Sequence, residues 1–178
     1  MSTLSSAGAG SSGAVVVRAA SDGDGAAIAR LIAGVFAEYP GCVYEPSEFP
    51  ELAAPASHFA GLGGRLWVAE DGDRLIGTFG LAATAEPGVF TLHKVYLDAA
   101  ARGLGLARRM LDEAIAFARA AGATELRLWT DTRFTAGHRF YDRYGFTRIP
   151  VRRFLADASD SWEFAYRLPL PASGEARP

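Results

Sequence analysis

The chain has 178 residues, 49% of them apolar and 21% charged, which suits one globular domain with a sizeable core and excludes a disordered chain or a disulfide-stapled miniprotein. A formal net charge of −2 supplies no overall basic field for holding nucleic acid. The single cysteine, Cys42, excludes an intrachain disulfide and a multi-cysteine zinc site, and it fits a cytoplasmic protein.

Met1 to Ala14 is almost entirely Ser, Gly and Ala. It lacks the basic start and apolar centre of a signal peptide and reads as a flexible tail. No run approaches the roughly 20 apolar residues that span a bilayer, so no membrane partner is expected. Lys94 is the only lysine among 18 basic residues, a coding bias toward arginine. The folded domain is expected over 15–170, with 171–178 frayed.

Val15 to Val17 begins a first strand. Ser21 to Asp24 fits a capping pattern, and Ile28, Leu31, Ile32, Val35 and Phe36 follow at helical spacing. Tyr39-Pro40-Gly41 stops that helix. Cys42 to Pro50 is irregular, and Leu52 to Leu62 is expected as a second helix. Leu66 to Ala69 and Leu75 to Ala83 form a hairpin across Asp71-Gly72. After the turn at Glu86-Pro87-Gly88, Val89 to Leu97 is a long strand. Leu106, Met110, Leu111, Ala114, Ile115 and Ala118 mark a long helix closed by Gly122. Leu126 to Thr130 is a strand, His138 to Tyr144 a helix, and Phe146 to Phe154 and Trp162 to Leu168 two last strands. The whole is mixed α/β.

The strongest chemical signal is Arg102-Gly103-Leu104-Gly105-Leu106-Ala107, between the long strand and the long helix. A helix start offers unpaired N–H groups and a positive dipole end, and glycines let the backbone approach a phosphate. Arg102, Arg108 and Arg109 add charge. No Gly-Lys-Ser/Thr follows, and Arg108 stands where a dinucleotide fingerprint needs glycine. Alone, the loop reads equally as a plain helix start.

Arg102-x-x-Gly105-x-Ala107 resembles the Arg/Gln-x-x-Gly-x-Gly/Ala pattern of the GNAT N-acetyltransferase superfamily. Phe140-Tyr141-Asp142-Arg143-Tyr144-Gly145-Phe146 is similar to the family's later Leu/Phe-Tyr-x-x-x-Gly-Phe signature. The separation of the two motifs and the order of the flanking strands also match, so the resemblance covers nearly all of residues 15–168. It implies an α/β (α+β) fold: a mixed, mostly antiparallel sheet of six to seven strands with about four helices. The fourth and fifth strands splay apart to form an acetyl-CoA cleft.

By this resemblance the backbone of Val95, Tyr96 and Leu97 pairs with the pantetheine arm. Arg102, Gly103, Leu104, Gly105, Leu106, Ala107 and Arg108 cradle the pyrophosphate. An amine of a small molecule or protein attacks the thioester directly. Tyr141 occupies the position of a general acid for the leaving thiolate, or else packs the helix to the sheet. His93 lies nine positions before Arg102, where arylalkylamine members keep a relay histidine; it is either a proton acceptor, or a satisfied core residue or one on the other side of the sheet. Strand alternation puts Thr91, His93, Val95 and Leu97 on one face and Lys94 on the other. Phe134 stands where the family often has a cofactor-contacting Asn, and none of Asp131, Thr132 and Arg133 clearly replaces it.

Glu38, Tyr44 and Glu48 lie in the segment that forms the acceptor wall in this fold. With Glu45, Glu51, Tyr39 and Phe49 they either receive a cationic amine or make a solvated acidic loop. Three scattered histidines and one cysteine suggest no metal. The resemblance allows a homodimer. A noncatalytic acyl-CoA-binding or regulatory module on the same fold is the alternative, and a nucleotide-phosphate binder a more distant one.

Overall fold

The apolar runs pair into seven strands: β1 (Val16–Ala19), β2 (Arg65–Asp71), β3 (Arg74–Ala83), β4 (Val89–Leu97), β5 (Glu125–Asp131), β6 (Thr147–Phe154) and β7 (Trp162–Pro169). Their order is β1-β2-β3-β4-β5-β7-β6, antiparallel except where β4 meets β5. The helices are α1 (Gly25–Phe36), α2 (Pro55–Gly61), α3 (Leu106–Ala120) and α4 (Thr135–Tyr144). This computed structural model describes residues 14–171. The expected tail and frayed end lie outside the described residues except for Ala14 and Pro171. No helix among the described residues is long and apolar enough to cross a membrane.

The apolar stripe of α3 explains its seat. Met110, Leu111, Ala114 and Ala118 are fully buried against Phe79, Leu81, Leu126 and Leu128 on one face of the sheet. On the other face Ile28 and Ile32 of α1 and Phe59 of α2 pack on Leu66, Val68 and Ala82.

The helix expected over 52–62 is broken. Pro50–Ala53 is a 3-10 turn and α2 starts only at Pro55, because a residue before proline is pushed out of the helical region. Ala54 accordingly sits at φ −151°, ψ 68°. The helix expected from His138 begins earlier, at Thr135.

Two irregularities of β4 shape the site. Its parallel pairing to β5 runs from Val89–Glu125 to Leu92–Leu128. Beyond that β4 continues only with β3 and β5 only with β7, so the strands part. In addition, Thr78 pairs with Tyr96 but Gly80 pairs with His93, so β4 carries one extra residue. Lys94 absorbs this bulge at φ 49°, a costly conformation for a side-chain-bearing residue. The bulge overturns simple alternation. Val95 and Leu97 remain on the α3 face with Leu92. His93 meets Phe59, Lys94 lies over Phe49 and Tyr96 packs with the α1 side. His93 therefore faces away from Val95 and Leu97, and Lys94 shares its side.

Candidate functional site

The loop into α3 is built to present N–H groups. Gly103 and Gly105 have φ of 78° and 79°, a region glycine enters without penalty. Among the described residues, the backbone N–H groups of Gly103 through Arg108 donate to no protein acceptor. They converge at the positive end of a helix running to Ala120, an arrangement that binds phosphate. Leu106 anchors the turn in the core, whereas Leu104 is 79% exposed.

The arginines divide their work differently from the expectation. Arg102 turns inward: its guanidinium donates to the carbonyl of Leu97 and to the carboxylate of Glu38, and the Glu38 bond holds it more basic than usual. Arg109 donates to the carbonyl of Val15 at 3.1 Å. Arg109 is exposed as well but engaged on that carbonyl, whereas Arg108 is exposed beside the loop, over the ring of Tyr144 at 5.7 Å.

A cleft of about 600 Å³ runs from this loop to the gap between β4 and β5. Val95, Tyr96, Leu97, Arg102, Gly103, Gly105, Ala107, Arg108 and Tyr141 line it; Leu104 and Leu106 do not. Arg139 and Arg143 of α4 line it too. Sequence reasoning missed these two, although their spacing of four on a helix was the available signal. Free N–H groups, an unpaired strand edge and basic residues together fit a long phosphate-bearing ligand with an extended arm.

A second cavity of about 580 Å³ opens on the α1 side. Glu48, His93, Lys94, Asp131, Asp157 and Glu163 are among its charged or titratable lining. The two cavities share Val95, Tyr96, Thr130, Phe134 and Tyr141, so they meet where the strands part.

Tyr141 stands at that junction. It is 5% exposed, with its ring held by Phe146 at 5.6 Å and Tyr166 at 5.7 Å. Among the described residues its hydroxyl has no hydrogen-bond partner, yet it is not among the sealed, unpaired polar atoms; it opens to the cavity. Burial pushes that hydroxyl well above the usual tyrosine range. His93 keeps an exposed edge on the second cavity. Desolvation and then the Lys94 ammonium push its imidazole down to about 4, which leaves it neutral at pH 7. Phe134 packs against Tyr39 at 4.8 Å, Phe36 at 5.8 Å and Tyr96 at 6.4 Å. It forms an apolar partition at the position where the resembled family often has an Asn.

Of the expected acceptor residues, Glu48 and Phe49 line this cavity, and the Glu48 carboxylate accepts the N–H of Ala158. Glu38 is drawn off by Arg102, and Tyr44 stacks on Phe49 at 5.0 Å. Arg133, noted from the sequence only as no clear replacement for the Asn, has a tying role that sequence reasoning did not find. It grips Asp131, the carbonyl of Gly41 and the hydroxyl of Ser161, and so ties the α1–α2 connection to the β6–β7 connection beside the cavity.

The pattern of the acetyltransferase (GNAT) family matches residues 31–146. The chain belongs to this family. The N-alpha-acetyltransferase RimI of Mycobacterium tuberculosis is 33% identical over 105 residues, which is 58% of this chain and 60% of that protein; the match thus spans less than two thirds of the relative's length. Among solved structures, a GNAT acetyltransferase from Staphylococcus aureus Mu50 superposes with a TM-score of 0.77 at 20% identity, covering 89% of this chain and all of that one. The yncA protein of Salmonella typhimurium, with its cofactor acetyl-CoA, gives 0.69 at 19% identity over 91% and 97% of the two chains. The PaiA N-acetyltransferase of Thermoplasma acidophilum, in complex with coenzyme A, gives 0.70 at 17% identity over 88% and 99%. These likenesses carry the fold: a GNAT sheet with β4 and β5 parted.

Proposed function

We propose that this protein is an acetyl-CoA-dependent N-acetyltransferase that passes the acetyl group to a primary amine of a small molecule or protein by direct attack. The observation that carries this reading is the meeting of two cavities at Tyr141, in the gap between β4 and β5. Acetyl-CoA supplies an activated thioester. The N–H groups from Gly103 to Arg108 hold its pyrophosphate, with Arg108, Arg139 and Arg143 near the phosphates. The open edge of β4 at Val95 takes the pantetheine arm like an added strand, and its N–H polarises the acetyl carbonyl.

On the acceptor side, an alkyl ammonium with a pKa near 10.4 must lose a proton before attack. Neutral His93 passes it on to solvent water through the second cavity. Tyr141, kept protonated by burial, gives a proton to the leaving thiolate. The RimI relative is an N-alpha-acetyltransferase, which favours peptide α-amines for the first acceptor panel. Calorimetric titration with acetyl-CoA, with ATP as control, followed by thiol-release assays on peptide and small-molecule amines tests the reading. Tight binding to acetyl-CoA and amine-dependent thiol release support it. Binding without release for any amine makes the protein a noncatalytic acyl-CoA module, and absence of binding removes both.

A further inference from the structure

Among 18 basic residues the chain has one lysine, and it sits at the extra residue of the β4 bulge. Its ammonium is 2.5 Å from the Glu51 carboxylate, and the two side chains are only 18% and 12% exposed. It also lies 4.4 Å from the ring centroid of Phe49. Phe49 is buried against α1, and Glu51 belongs to the 3-10 turn Pro50–Ala53. One side chain therefore ties the bulge to the wall of the acceptor cavity. A compact ammonium suits a single carboxylate over a single ring. The broad guanidinium fork used at every other basic position would need more room and more acceptors.

We propose that Lys94 is a positioning residue for acetyl transfer: its ion pair with Glu51 holds the bulge that aims His93 into the acceptor cavity while Val95 and Leu97 stay on the cofactor side. This rests on the proposed function, which gives His93 the acceptor's proton. The charged and titratable groups around His93 are Lys94 on its own strand, Glu51 on the turn, His58 on α2, Arg153 on β6, and Glu48 and Glu163 on the cavity lining. Lys94 depresses the imidazole and Glu51 raises it. Breaking the pair from either end thus loosens the same strap but moves His93 in opposite directions.

The test uses Lys94→Met and Glu51→Gln in the full chain. Imidazole NMR titration, with His93 assigned by loss of its signal in His93→Gln, needs neither acceptor nor turnover. Lys94→Met should move the His93 midpoint up toward 6.5, and Glu51→Gln should move it down. Both should lower kcat/KM for the amine by on the order of tenfold, within the roughly 10²-fold that a misplacement of about 1 Å can cost. Acetyl-CoA affinity should stay within about twofold, and Lys94→Arg should keep the His93 midpoint low without restoring kcat/KM. Two results overturn the proposal: a His93 midpoint unmoved in both variants, or acetyl-CoA affinity falling in step with amine kcat/KM. If Lys94→Met fails to fold, Glu51→Gln alone decides between these outcomes. A wild-type protein that acetylates no amine sinks the transferase reading, while the NMR arm still judges whether the strap orients His93.

Discussion

Arg102 bridges Leu97 and Glu38: it donates to the Leu97 carbonyl at 2.7 and 3.2 Å and to the two carboxylate oxygens of Glu38 at 2.5 and 2.8 Å. The motif arginine is thereby engaged inside the protein, locking the end of β4 to the residues just after α1. Both side chains are about one-third exposed, so solvent weakens the pair, while its bidentate geometry strengthens it. A double-mutant cycle of Arg102→Gln and Glu38→Gln should give a coupling energy of about 1 kcal/mol by urea unfolding. Arg102→Gln should also weaken acetyl-CoA binding, because the end of β4 loses its anchor. Glu38→Gln should weaken it less, since the Leu97 bonds remain.

The Tyr141 hydroxyl makes no hydrogen bond within the described residues, whereas its ring is packed on Phe146 and Tyr166. Tyr141→Phe should therefore change stability by less than about 1 kcal/mol and leave acetyl-CoA affinity nearly unchanged. As loss of a general acid, it should lower kcat by roughly 10²-fold or more. Burial keeps the hydroxyl protonated beyond the ordinary tyrosine range, so wild-type kcat should show no loss from Tyr141 ionisation up to pH 10. A Tyr141→Phe enzyme with wild-type kcat would remove Tyr141 from the chemistry.

The parts of this fold written in local pattern were legible: the Asp71-Gly72 hairpin, the apolar stripe of α3, and the two motifs around Gly105 and Tyr141. What escaped depends on tertiary packing. The residues from Thr91 to Leu97 look like uninterrupted alternation, and only the pairing of Tyr96 with Thr78 and His93 with Gly80 exposes the bulge. Glu38 read as an acceptor-wall acid because its partner lies 64 residues away. Arg139 and Arg143 looked like ordinary helix-surface charges until α4 was set beside the cleft. The break at Pro55 was readable, since proline restrains its predecessor, but the apolar spacing from Leu52 masked it.

His93 carries a pH signature. Its imidazole sits at about 4 in the folded protein against an ordinary 6.5. Between those values the unfolded chain binds the extra proton, so stability should fall as pH drops from about 6.5 toward 4. His138 is also depressed by burial and acts in the same direction, so the informative quantity is the difference between proteins. The loss in urea midpoint from pH 7 to pH 5 should be smaller in His93→Gln than in wild type. In the same variant kcat/KM for the amine should fall about 10²-fold. Equal midpoint losses would mean that His93 titrates normally in the folded state.

Gly105 and Gly122 offer a matched pair. Their φ angles are 79° and 80°, and no atom lies within 4 Å of where a Cβ would stand at either. Alanine meets no clash at these positions and incurs only the cost of left-handed backbone, about 1 kcal/mol. Gly105 opens α3 among the free N–H groups, whereas Gly122 follows its far end. Gly105→Ala and Gly122→Ala should therefore lower the urea-derived stability by similar amounts, but only Gly105→Ala should raise the acetyl-CoA Kd, on the order of tenfold, a change worth about 1.4 kcal/mol. Equal affinities in the two variants would show that the loop before α3 serves the fold and not the phosphates, because the left-handed turn that fans out its N–H groups would then be dispensable for binding.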